Sequence, residues 1–151
     1  MFLERMKTYF TLFVILLLIS CGKIAPAGFW IGYKNGDIKV KEQDNGPWGG
    51  YSRFHWVSQE HAFDPKDVQT FAKANGWSLI DSLTVDEFVL LIKSNGKKLD
   101  MMDTIQAIRV YRFDTGWLLL GPEPDESTSQ NGYVLLSEAG DQMSVYHFWG
   151  E

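Results

Sequence analysis

Beyond residue 21 the chain has no cysteine at all; Cys21 is its only one. A lone thiol closes no internal disulfide, so the fold must stand on packing and hydrogen bonds. Long apolar runs are equally scarce. The longest, Phe10 to Ile19, has ten residues and no charge. As a helix it would span about 15 Å, half of a ~30 Å hydrocarbon core, which excludes an ordinary membrane-spanning helix there. Positive charge is in short supply too: 14 Lys and Arg face 19 Asp and Glu, for a net charge of −5. An acidic chain repels phosphate backbones, which excludes nucleic acid as a natural partner and disfavours docking on anionic lipid by charge alone.

Catalytic and ligand motifs are missing as well. The sequence holds no phosphate loop, no dinucleotide fingerprint and no Gly-x-Ser-x-Gly turn. Its three histidines, His55, His61 and His147, lack the short spacing that zinc ligands use. They are expected to sit apart, His147 on a strand face and the other two at the surface or in caps. Ser58, His61 and Asp64 crowd together just before a helix start, where such residues cap rather than catalyse. Asp86 and Glu87 fall in a helix first turn and serve its dipole. Glu123-Pro124-Asp125-Glu126 lacks the ligand spacing of a calcium loop and reads as a solvated acidic turn. No enzyme activity, cofactor or metal is therefore expected.

What is present begins at the N-terminus. Arg5 and Lys7 form a short positive stretch, the apolar run follows, and the run ends in Leu18-Ile19-Ser20-Cys21. This is the layout of an export signal. Met1 or Met6 can each open it. The last four residues resemble the lipobox of bacterial lipoprotein precursors: an aliphatic residue, a small or aliphatic one, a small one, then cysteine. The resemblance covers residues 1–21 only. It implies that the Cys21 thiol receives a diacylglyceryl group, that the chain is cut before it, and that two or three acyl chains then hold the protein at a membrane. One chain anchors marginally and several anchor stably. The expected location is the bacterial cell envelope. Gly22 stands where an aspartate commonly retains such proteins at the inner membrane, so the resemblance points to the outer membrane in a Gram-negative cell. Residues 1–20 hold Arg5, Lys7 and Glu4, one net positive charge, so the rest of the chain carries −6.

The expected organisation is a signal over 1–20, a lipidated cysteine and short tether over 21–28, and one domain over 29–151. Phe29, Trp30 and Tyr33 are expected to pack on the domain as its first strand, with a place at the membrane interface as the alternative. Asn35-Gly36 reads as a turn before a strand at Asp37–Lys41, and Tyr51–Val57 as a second strand. Asp64-Pro65 opens a helix whose apolar face is Val68, Phe71 and Ala72, and Asn75-Gly76 closes it. Residues 77–81 read as a short strand or an extended connection. Thr84 with Glu87 makes a capping box for a second helix, with Val85, Phe88, Val89 and Ile92 on its inner face and Asn95-Gly96 at its end. Residues 97–104 read as a short helical turn. Ile105–Phe113 and Trp117–Leu120 flank Asp114-Thr115-Gly116, a hairpin loop with Gly in the left-handed position. Tyr133–Ser137 and Gln142–Trp149 flank a second hairpin at 138–141. The sum is an α+β fold: an antiparallel sheet, a meander in its C-terminal half, with two helices on one face.

Aromatics are abundant, with six Trp, six Tyr and ten Phe, which speaks against disorder. Trp30, Trp48, Tyr51, Trp56, Trp77, Trp117 and Trp149 are spread along the chain. Trp48-Gly49-Gly50-Tyr51 lies in a Gly-rich stretch. Trp48 and Tyr51 are its candidate partner-binding residues, with burial under the loop as the favoured alternative. A membrane-tethered, acidic, aromatic-rich domain suits a binding or inhibitor module for a basic protein, of the immunity-protein kind. The second expectation is a structural or assembly accessory of the envelope that contacts wall polymer or a membrane complex.

Overall fold

In this computed structural model, residues 26–33, 36–60, 63–94, 107–121 and 123–151 are described. Cys21, His61, Asn95-Gly96 and the turn expected over 97–104 lie outside them.

Strand β1, Asp37–Asn45, and strand β2, Gly49–Val57, form an antiparallel hairpin around Gly46-Pro47-Trp48. Helix α1, Pro65–Ala74, follows. Asp64 caps it: its Oδ1 accepts from the N–H of Lys66 at 2.8 Å and of Asp67 at 3.2 Å. Strand β3, Ser78–Leu83, leads into helix α2, Val85–Ser94. The capping box there is complete. Glu87 accepts from the N–H of Thr84 at 2.7 Å, and Thr84 Oγ1 accepts from the N–H of Glu87 at 3.2 Å. The bonds that the Glu87 carboxylate accepts from the Thr84 N–H and hydroxyl hold it below its ordinary range.

Strands β4, Ala107–Asp114, β7, Gly132–Ser137, and β8, Gln142–Gly150, complete the main sheet. The order is β1-β2-β8-β7-β4-β3, with every neighbour antiparallel. Two short strands, β5 at Leu119–Leu120 and β6 at Ser127–Thr128, pair with each other, and β5 also touches β8. The fold is α+β, with an antiparallel sheet and a β3-β4-β7-β8 meander.

The sequence pattern suggested that the two helices share one face of the sheet; in the structure they lie on opposite faces. Alternate residues of the central strands are apolar on both sides. Val134, Leu136, Met143 and Val145 face α1, whereas Tyr133, Leu135, Tyr146 and Phe148 face α2. A sheet with two apolar faces needs a cover on each, and the helices divide between them. The α1 side is finished by a 3-10 turn, Gly28–Gly32, where a strand was expected. Its Trp30 is fully buried among Tyr33, Trp56, Phe71 and Trp77. Ala27 is buried too, so packing starts two residues before Phe29.

On the α2 side one row crosses all six main strands: Asp81, Arg112, Tyr133, Tyr146, Arg53 and Glu42. Arg112 grips Asp81 with Nε and Nη2, and Arg53 Nη1 lies 3.5 Å from Glu42. The two central phenols lie beneath Phe88, at ring distances of 5.0 and 5.9 Å. Burial pushes both phenols up. Each edge of the sheet thus carries an ion pair, and its middle carries aromatic rings.

The hairpin expected at Asp114-Thr115-Gly116 does not form. Gly116 does adopt a positive φ of 72°, but the chain then leaves the sheet, and β4 pairs with β7. Residues 115–131 form an excursion whose ends are bonded together through Thr115 and Asn131. The strand expected at 117–120 shrinks to two residues.

Candidate functional site

The end of the sheet that carries the β1–β2 turn holds an open groove of about 500 Å³. Three backbone segments build it: Asn45–Gly49, Gly116–Leu118 and Trp149-Gly150. The C-terminal strand is pressed tightly onto the turn. Glu151 N–H donates to the Trp48 carbonyl at 3.0 Å, and Gly150 N–H donates to the Leu118 carbonyl at 2.6 Å. That approach requires glycine twice. A Cβ on Gly150, whose φ is 81°, would overlap the Trp48 carbonyl, and one on Gly50 would overlap that of Asp44.

The groove is aromatic. Trp48 stands on its rim with 77% of its surface exposed, Trp117 is 38% exposed, and Trp149 is buried at 6%. Leu118 and Leu120 add exposed aliphatic surface beside it. Such residues on a rigid frame are the usual anchors of partner recognition, since they bury much area at little entropy cost.

A buried polar network holds Trp117 in place. The Thr115 hydroxyl donates to Asn131 Oδ1 at 2.6 Å, and Asn131 Nδ2 donates to the Trp117 carbonyl at 2.6 Å. The Trp117 N–H returns to Thr115 Oγ1 at 3.2 Å. Because the one proton of Thr115 is committed to Asn131, the ring of His147, whose Nε2 is 3.1 Å away, must be the donor to Thr115. His147 is therefore the Nε2–H tautomer. Its ring is fully buried and stacks on Trp149 at 5.1 Å, tilted by 21°. Burial drives its pKa down to about 3, so it is neutral in ordinary buffers.

The chain segments that form this end carry charge of one sign, with Lys73 in the last turn of α1 as the nearest helix cation. Segments 44–51, 114–131 and 148–151 contain Asp44, Asp114, Glu123, Asp125, Glu126 and Glu151, and no Lys or Arg. All are exposed except Asp114, which is partly buried and accepts from the Gly116 N–H.

The structure separates the two residues singled out in the Gly-rich stretch. Trp48 is on the groove, and exposed rather than folded under its loop. Tyr51 is half-buried on the α2 side, against the core of Phe88 and Tyr133. Trp117, Leu118 and Trp149 take the places beside Trp48. Their abundance as aromatics was visible in the sequence, but nothing in their spacing joins positions 48, 117 and 149.

His55 and His147 lie on opposite faces of the sheet, so they cannot share a ligand. His55 is buried, not at the surface; its Nδ1 is 2.9 Å from Ser144 Oγ, and burial lowers its pKa. A second concavity of about 490 Å³ lies where β3 meets α2, lined by Leu83, Val85, Glu87, Arg109 and Tyr111. Its carboxylate, Glu87, is engaged in the helix cap.

No protein-family model, curated protein or solved structure matches the chain.

Proposed function

We propose that the chain is a lipid-anchored protein of the bacterial envelope that acts by binding, and that it captures a basic protein partner in the Trp48–Trp117 groove. One observation carries the binding half: exposed indoles line a built groove, and the chain segments around it hold six carboxylates and no Lys or Arg. The indoles and Leu118 supply apolar area to bury. The carboxylates steer a partner of opposite charge and select against acidic ones. The anchoring half is supported by the Leu18-Ile19-Ser20-Cys21 motif behind its apolar run, and Gly22 favours the outer membrane where the cell has one.

The test compares the purified full chain with its Trp48→Ala variant as baits for envelope proteins. Basic proteins should be retained by the wild type, released as salt rises, and retained at least tenfold less by the variant, in line with about 2 kcal/mol for an interface anchor. Retention that ignores both salt and Trp48 would defeat this reading. Salt-insensitive sedimentation with purified wall polymer would favour the envelope-accessory role instead. Mass spectrometry of the native product checks the anchor, which requires cleavage before Cys21 and acyl mass on it.

A further inference from the structure

The groove and the first packed residues lie at the same end of the sheet. Helix α1 starts beside the β7–β8 turn, where the Phe63 N–H bonds the Gly140 carbonyl, and it ends next to Trp77. Trp77 touches His147 at 5.3 Å, and His147 stacks on Trp149 in the groove. So α1 runs from the far end towards the groove. The 3-10 turn runs the opposite way along it. Tyr33 lies over Phe63 at 6.3 Å, whereas Phe29 meets Trp77 edge-on at 5.4 Å. Pro26 and Ala27 precede Phe29 and hence enter from the groove end. Cys21 is five residues before Pro26. Whatever its path, that stretch reaches at most ~18 Å.

We infer that the groove opens towards the membrane that holds the anchor, and that its partner is the Lys- or Arg-bearing flank of an integral membrane protein. This rests on the lipid-anchor and groove-binding reading above. A lipid on Cys21 draws the groove end to the bilayer and leaves the far end outward. Strands of nine residues put the β7–β8 turn about 30 Å from the groove, several Debye lengths away. Trp48 and Trp117 are of the residue type that rests at the interfacial layer, and the exposed Leu118 and Leu120 add apolar surface beside them. Their carboxylate surround resists sinking among anionic headgroups, so the groove stays at headgroup level. Long cationic side chains at the ends of membrane helices emerge at that level. Confinement of both proteins to one surface raises their effective concentration, which favours this partner over a diffusing one of equal charge.

The test uses the full lipidated chain in phosphatidylcholine vesicles. Lipid occupies Cys21, so a cysteine placed elsewhere is the sole free thiol. Asn45→Cys, on the groove rim, and Ala139→Cys, in the far turn, are each spin-labelled; both positions are exposed. A nickel chelate on the headgroups should relax the label at position 45 at least fivefold more than the label at 139. Equal or reversed relaxation overturns the orientation. In the second arm, a basic segment is joined to a hydrophobic helix in the same vesicles, or supplied free. The membrane-borne form should bind at least tenfold more tightly, and Trp48→Ala should remove most of that binding. Equal binding of the two forms overturns the partner assignment while sparing the groove. Binding of neither form overturns the groove reading itself, and a chain that does not float with vesicles overturns the anchor on which the orientation depends.

Discussion

The hydroxyl of Thr115 sits 2.6 Å from Oδ1 of Asn131, two residues 16 positions apart that close the excursion between β4 and β7. Through that bond the backbone of Trp117 on one side and the ring of His147 on the other are held in a fixed arrangement. The groove owes its shape to a buried network, and several consequences can be measured.

Thr115→Val keeps the shape of the side chain but removes its hydroxyl. His147 Nε2–H, Trp117 N–H and Asn131 Oδ1 each lose a partner. A buried polar group left unpaired costs ~1–3 kcal/mol, so the variant should lose about 3 kcal/mol in urea unfolding. Thr115→Ser should recover most of this. A Val variant as stable as wild type would show that the network does not hold the excursion.

His147 makes stability depend on pH. Its pKa is lowered to about 3 in the fold, against an ordinary value near 6.5. Above pH 6.5 both states are neutral and the residue adds no pH dependence. Between pH 6.5 and 3 the unfolded chain takes up a proton that the folded chain refuses, so stability falls as the pH is lowered. At pH 5 the loss from this one group is about 2 kcal/mol. His55, lowered by burial, acts in the same direction. Denaturant titrations at pH 5 and 7.5 should show a smaller difference in His147→Gln than in wild type. An unchanged difference would mean that His147 does not stay neutral.

Trp48 and Trp149 should separate binding from stability. Trp48 is mostly exposed, so Trp48→Ala should change unfolding free energy by no more than about 0.5 kcal/mol while weakening partner capture. Trp149 is buried and stacked on His147, so Trp149→Ala should cost about 3–5 kcal/mol. Thermal melts together with binding isotherms on both variants decide this.

The capping box of α2 is a local device with a local effect. Thr84→Ala removes the acceptor for the Glu87 N–H and should cost about 1 kcal/mol. Hydrogen exchange should speed up at the start of α2 and remain unchanged in α1. Uniform acceleration of both helices would contradict a local role.

Short-range chemistry was legible from the chain alone. Asp64-Pro65 and Thr84 with Glu87 mark helix starts because a cap needs only residues within one turn. The hairpin turn between Ser137 and Gln142 was legible for the same reason. The hairpin at Asp114-Thr115-Gly116 was misread because its local pattern is sound; what overrides it is a long-range competition. Strand β7 pairs with β4 along Gly132 to Ser137 and with β8 on its other side, a place in the sheet that residues 117–120 do not take. The division of the helices between two faces was equally out of reach, since it depends on which sides of β7 and β8 are apolar once they lie in the centre of the sheet.

By itself, then, the order of residues determined an α+β domain with two capped helices, an acidic surface, and an N-terminal stretch patterned as an export signal ending in Cys21. Each of these is written in neighbours, in composition or in a period of two or four. Only the tertiary structure decided that Trp48, Trp117 and Trp149 meet, that Tyr51 turns away, and that Pro26 enters at the same end. Those relationships join positions up to about a hundred residues apart. They are set by strand register and by close packing at Gly50 and Gly150, and no local pattern encodes either.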